Sequence, residues 1–150
     1  MGLARFIAGL FAPLLRRCSR SAEGDPRHAL GREGERLAQR HLRRHGYKIL
    51  YRNFRAPHGG EVDLVCRDRS CDSLVFVEVK TRRSTEFGTP AEAVDLEKQK
   101  LIARGAIAWL RMLGNPEVNY RFDIVAIVLT EDGPDIEIVR DAFALPAPYF

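Results

Sequence analysis

The chain has 150 residues, 45% of them hydrophobic and 29% charged, which suits one globular domain with its own core and excludes a fibrous or low-complexity chain. The net charge of +4 is uneven: residues 31–60 carry eight basic and two acidic residues and residues 117–150 two basic and seven acidic, so one region is fit to meet phosphates and another is not. Three cysteines, Cys18, Cys66 and Cys71, make an odd number with no C-x-x-C pair, which excludes a disulfide framework and a cysteine zinc site and fits a reducing cytoplasm.

Leu3, Phe6, Ile7, Leu10, Phe11, Leu14 and Leu15 follow helical spacing, interrupted by Pro13, with Arg16, Arg17 and Arg20 after them. The run is too short to span a bilayer, and its charge follows the apolar stretch where a signal peptide would have it in front. Residues 1–28 therefore read as an arm and linker: an amphipathic segment for peripheral contact with a membrane or a protein, or a flexible extension. The domain proper is expected over 29–150.

"LGREGERLAQRHLRRHG" predicts a helix with Leu30, Gly34, Leu37, Ala38, His41 and Leu42 on one stripe and Gly46 just past its end. His41 and His45 share its surface without a third zinc ligand, and are read as surface histidines. "YKILYRNF", "GEVDLVC" and "SLVFVEVKT" predict three strands, the last two joined by the polar turn "RDRSCD". "TPAE" (Thr89 to Glu92) is a capping box with Pro90 at the first helical position, so a long helix is expected from there to about Leu113. Its apolar stripe reads Val94, Leu101, Gly105, Ala108 and Met112, and the missing member is Lys98. "YRFDIVAIVL" and "DIEIVRDAF" complete five strands of a mixed α/β sheet flanked by helices.

Strand alternation puts Phe76, Glu78 and Lys80 on one face, and Glu61, Asp63 and Val65 on one face of the preceding strand. A hairpin about the polar turn would oppose Asp63 to Glu78, Glu61 to Lys80 and Val65 to Phe76. Two carboxylates about 5 Å apart across a ladder repel. A hard divalent cation between them would relieve this, taking oxygen ligands at roughly 2.1 Å and keeping waters. The alternative is a charge ladder in which Lys80 and Glu61 neutralise the acids. Lys98, on a buried helix stripe, either points at this charged end or reaches out to solvent along its stem. Glu33 and Glu35 flank the first helix's stripe on either edge, and helical geometry does not choose between them.

An aspartate, then Glu-x-Lys on the next strand, with a glutamate on a preceding helix, resembles the PD-(D/E)XK nuclease superfamily, and within it the Holliday-junction-resolvase-like members. "GREGERLA", "RNFR", "GGEVDLV", "FVEVKTR", "FGTP" and "RFDIVAI" together are similar to the bacterial YraN-like family over about residues 30–145. The resemblance implies a restriction-endonuclease-like core, with Asp63, Glu78 and the carbonyl of Val79 as ligands of Mg²⁺ or Mn²⁺. It implies a catalytic role for Lys80 on the attacking water. The spacing of glycine and glutamate in the resolvase-like members selects Glu35 (Gly31 to Glu35). Lys98 is added to the catalytic candidates from its place in the second helix's stripe, not from the resemblance. Val62-Asp63 stands where the superfamily has Pro-Asp.

The expected activity is metal-dependent hydrolysis of phosphodiesters in structured DNA, branched or junction-like, in the bacterial cytoplasm. Arg32, Arg36, Arg52, Arg55, Arg82 and Arg83 would hold the nucleic-acid backbone without reading sequence. Junction resolution calls for two sites, hence a homodimer. The competing expectation is a non-catalytic module, on a nuclease fold, that binds nucleic acid or a partner.

Overall fold

The computed structural model describes residues 25–83 and 94–145. In chain order these form α1 (Pro26–Arg44), β1 (Tyr47–Arg55), β2 (Glu61–Asp68), β3 (Ser73–Arg82), α2 (Leu96–Met112), β4 (Tyr120–Thr130) and β5 (Gly133–Phe143). The strands lie in the order β1-β2-β3-β4-β5. All neighbours are antiparallel except β3 and β4, which run parallel. A parallel neighbour needs a crossover, and α2 supplies it. This is the mixed five-stranded α/β sheet expected, in keeping with a restriction-endonuclease-like core.

The helices cover opposite faces. Ala38 and Leu42 of α1 pack with Leu64, Cys66, Val75, Val77, Val125 and Ile127 on one face. Ile102, Ala106 and Trp109 of α2 pack with Phe54, Val65, Phe76, Phe122 and Ile124 on the other. Val75 and Val77 thus part from Phe76, as strand alternation requires.

Four expectations are corrected. α1 begins at Pro26, inside the expected linker, because the Asp25 side chain accepts from the Arg27 N–H and proline suits the first helical position. α2 begins at Leu96, because Asp95 is extended and its carboxylate caps the Lys98 N–H. The capping box at Thr89 lies outside the described residues, as does the arm up to residue 24. The buried face of α2 runs through Ile102, Gly105, Ala106, Trp109 and Leu113, while Met112 is exposed. Lys98 continues that face in steps of four and three. Finally, the β2–β3 ladder has the expected register at Val65↔Phe76 but ends at Leu64↔Val77. Asp63 with Glu78, and Glu61 with Lys80, are not ladder pairs, because β3 continues along β4 to Arg82 while β2 stays with β1 to Glu61.

Two close approaches fix where the helices meet this opening. A Cβ on Gly34 would lie 1.7 Å from Thr81 Oγ1 and 2.8 Å from Thr81 Cβ, so α1 sits directly on the end of β3. A Cβ on Gly60 would lie 2.5 Å from the Gly105 nitrogen, and one on Gly105 would lie 3.0 Å from Glu61 backbone, so α2 touches the start of β2. Gly34→Ala is expected to lower stability by about 1–3 kcal/mol or more, since rotating the threonine cannot remove its Cβ. Denaturant midpoints for Gly34→Ala with and without Thr81→Gly test this. Additive losses, with no coupling between the two positions, would contradict the contact.

Candidate active site

Where β2 and β3 part, a cleft of about 380 Å³ is lined by Arg27, Leu30, Gly31, Glu35, Asp63, Glu78, Val79, Lys80 and Thr81. It opens at the carboxyl end of β3, where open α/β sheets commonly hold ligands.

Each acid in it is held by one oxygen. Asp63 Oδ2 accepts the Val79 N–H at 2.8 Å, and its other oxygen accepts no hydrogen bond among the described residues. Glu78 is 3% exposed, and its Oε1 lies 3.2 Å from Lys80 Nζ and 3.4 Å from Lys98 Nζ. Its Oε2 is buried and has no hydrogen-bond partner among the described residues. A buried carboxylate oxygen left unpaired is costly, so the arrangement is poised for something positive. Burial, then the charge of Glu78, push the Asp63 carboxyl up to about 7, against the opposing pull of the Val79 N–H and Lys98; Glu35 adds a further upward push.

Lys98 reaches the site from the first turn of α2. Its ammonium is shared between Glu61 Oε1 and Glu78. Burial works against that charge, but the Glu61 hydrogen bond and the two glutamates outweigh it and raise the lysine. The same Lys98 hydrogen bond holds the Glu61 carboxyl below its ordinary range, with Arg55 Nη1 3.9 Å away adding to it. Of the two α1 glutamates, Glu35 lines the cleft and accepts from Asn53 Nδ2 at 3.2 Å, whereas Glu33 is exposed and outside it.

Arg32, Arg36, Arg52, Arg55 and Arg83 are exposed and Arg82 half-buried; none of the six lines the cleft. The arginine that does is Arg27.

Residues 34–127 match the family described as "Uncharacterised protein family UPF0102". The chain belongs to that family. It is 50% identical over 117 residues to a UPF0102 protein of Geobacter sulfurreducens, covering 77% of this chain and 89% of the relative. It is 46% identical over 124 residues to one of Trichlorobacter lovleyi (81% and 95%) and 50% identical over 116 residues to one of Rhodococcus opacus (77% and 96%). The YraN-like resemblance is thus borne out at the level of the family.

Sequence reasoning missed Arg27, Asn53 and the role of Glu61. Arg27 falls in a stretch that reads as linker until Asp25-Pro26 is taken as a helix start. Asn53 has φ 53, left-handed backbone inside a strand, and an asparagine within "YKILYRNF" was the available signal.

A second charged cluster lies on the α1 face of the sheet, reaching from the β2–β3 turn to Asp123, which pairs with Val77. Asp123, fully buried, accepts from Arg121 Nε at 2.9 Å, the Tyr47 hydroxyl at 3.0 Å and the Asp141 N–H at 3.0 Å. Asp68 accepts from Arg121 Nη2 at 2.9 Å and from Ser70. Burial alone would raise Asp68, but the Ser70 hydroxyl and Arg121 bonds outweigh it and hold the carboxyl well below the usual range.

The folded-state carboxyl of Asp63 titrates near 7, against about 3.9 in an unfolded chain. Between these values the folded protein binds more protons than the unfolded one, so its stability falls as pH rises through that window, by an amount on the order of a few kcal/mol. Glu61 and Asp68 are lowered in the folded state, so their contributions run the other way, rising with pH at the acidic edge of the window. In chelator, the melting temperature is expected to drop from about pH 5 to pH 7.5. Asp63→Asn should flatten that drop, and an undiminished slope in the variant would assign it to another group.

Proposed function

We propose that the protein is a divalent-metal-dependent nuclease of the PD-(D/E)XK superfamily, acting on phosphodiesters in branched or junction-like DNA. The observation that carries this is the acid pair at the parting of β2 and β3. Asp63 and Glu78 each have one anchored and one open oxygen, beside two ammonium groups.

Among the described residues no three His, Cys, Asp or Glu side chains converge to enclose a metal ion. A two-carboxylate site with unsatisfied oxygens instead fits Mg²⁺ or Mn²⁺, hard cations that take one or two carboxylates and leave positions for waters and substrate oxygens. Asp63, Glu78 and the Val79 carbonyl would hold the ion. When bound, it would lower the pKa of a coordinated water and stabilise the oxygens that gain charge as phosphorus is attacked.

The chain's own groups do the rest. Lys80 Nζ donates to the attacking water and orients it toward phosphorus. Lys98 Nζ, kept charged by Glu61 and Glu78, balances the charge that accumulates on the phosphoryl oxygens. Glu35, oriented by Asn53, receives a proton at the cleft's α1 wall or orients a second water there. Arg27 contacts a non-bridging phosphate oxygen next to the reacting one, and the exposed arginines hold the flanking backbone. Two cuts across a junction take a homodimer. Two free thiols, Cys66 and Cys71, accord with a cytoplasmic location. Among the described residues no helix is long and apolar enough to cross a membrane. Peripheral contact with a membrane or protein through the N-terminal arm belongs to the same reading and concerns residues outside the described part.

One observation favours a non-catalytic nucleic-acid- or partner-binding module instead: Glu78 Oε1 is already neutralised by two lysines. The two readings separate in one assay, in which purified protein meets branched, flapped and single-stranded DNA, and RNA, with Mg²⁺, Mn²⁺ or chelator. Metal-dependent cleavage is expected, most of it on branched DNA. Glu78→Gln should reduce cleavage at least about 100-fold, the scale of one contact to developing charge. It should retain the melting temperature and bind DNA as well as wild type or more tightly. Cleavage undiminished by the substitution would remove the site from the chemistry, and binding with no metal-dependent cleavage in the wild type would favour the module.

A further inference from the structure

Helix α1 has a second cleft on its other flank. Leu37, Arg40, His41 and Arg44 of α1, with Pro134 and Ile136 of β5, line about 390 Å³. At 100° per residue, Arg40 lies about 140° around the helix from Glu35, so the two clefts flank one helix rather than share a face. The floor is apolar, two guanidinium groups line it, and no acid does so among the described residues. Asp135 and Glu137, the acids nearest in sequence, alternate with Ile136 and point to the other side of β5.

Arg40 and Arg44 also end a row. Arg32, Arg36, Arg40 and Arg44 recur every fourth residue, forming one ridge that climbs about 6 Å per step and winds from the crest of α1 into this cleft. All four are exposed, and no carboxylate among the described residues lies within ion-pair distance of any of them. Four unneutralised guanidinium groups repel, which an isolated domain gains nothing by keeping. Their step is of the order of the spacing between neighbouring phosphates on a strand, and the guanidinium fork matches phosphate oxygens.

We infer that this arginine ridge and the recess at its end are a phosphate-backbone track, in which Arg32 and Arg36 hold the strand that enters the catalytic cleft and Arg40 and Arg44 seat a further backbone phosphate, with sugar or base on the apolar floor. The continuous row favours a polyanion over a single phosphate. The recess distinguishes a strand from a flat anionic membrane surface. The inference rests on the nucleic-acid reading but not on catalysis.

The test uses the full-length protein and a labelled branched DNA in chelator, with fluorescence anisotropy followed across a salt series. Arg40→Ala/Arg44→Ala is expected to bind more weakly, with the slope of log affinity against log salt shallower by about 1.8, two phosphate contacts at about 0.9 each. Arg40→Lys/Arg44→Lys should keep most of the slope, and Arg111→Ala, an exposed arginine at the far end of α2, should keep all of it. Melting temperatures equal to wild type are expected, because the side chains are exposed. A wild-type slope in the double alanine variant overturns the track, as does an equal loss in Arg111→Ala. So does a loss of binding to anionic lipid vesicles in the double variant with the DNA isotherm unchanged. Absence of metal-dependent cleavage would sink the nuclease reading yet leave this isotherm measurable.

Discussion

The backbone N–H of Val79 donates to the side chain of Asp63, and the geometry of the cleft depends on that bond. Up to Leu64↔Val77 the two strands pair backbone to backbone. One residue further, a carboxylate stands between them. Each strand then follows its other neighbour, β2 along β1 and β3 along β4, and a wedge opens in the middle of the sheet. A wedge between central strands is an unusual gap, because buried backbone groups seek partners. Here it is tolerated because Asp63 satisfies Val79. The same substitution of side chain for backbone brings two acids into a poorly solvated space, which is why the Asp63 proton is held so tightly.

The cluster around Asp123, on the α1 face of the same sheet, is the natural comparison for the first. Both contain buried acids and basic partners. Both Asp123 oxygens accept hydrogen bonds, from Arg121, Tyr47 and the Asp141 backbone, and both Asp68 oxygens are used as well. A network closed in this way clamps β1, β2, β4 and β5 together and has no capacity left for a ligand. Glu78 Oε2, also buried, has no hydrogen-bond partner among the described residues. The chain is therefore able to satisfy buried acids and does so in one of the two clusters. The open cluster is the one where two helices and two strand ends converge, which is where a ligand can complete the set.

Periodicity made the order of elements, the faces of β3 and the Val65–Phe76 register legible in the sequence, because side chains alternate strictly along a strand. It missed the end of the ladder, since nothing in "GEVDLV" says that an aspartate side chain will take a backbone bond. The charged face was legible in Glu78 and Lys80, and Lys98 stood out as a gap in an apolar stripe, although the stripe itself was misaligned: Trp109 and Ile102, not Met112 and Leu101, face the core. Arg27 and Asn53 were hidden by local rules. The first sat in what composition read as linker, and the second occupies left-handed backbone that strand propensity does not anticipate.

Gly34 shows how a residue without a side chain can determine what its neighbours do. The absence of a Cβ lets α1 rest against Thr81, and contact at that point fixes the helix both along its axis and in rotation. Once the rotation is fixed, the rest follows from 3.6 residues per turn. Gly31 and Glu35 face the wedge, Ala38 and Leu42 meet the sheet, and the arginines at every fourth position are left outside, turning gradually from the crest toward β5. A helix held farther from the sheet, or turned by one residue, would carry Glu35 out of reach of Asn53 and bury an arginine against apolar strands. One tight contact thus sets the wall of the acidic cleft and the direction of the basic ridge together, so the two features cannot vary independently.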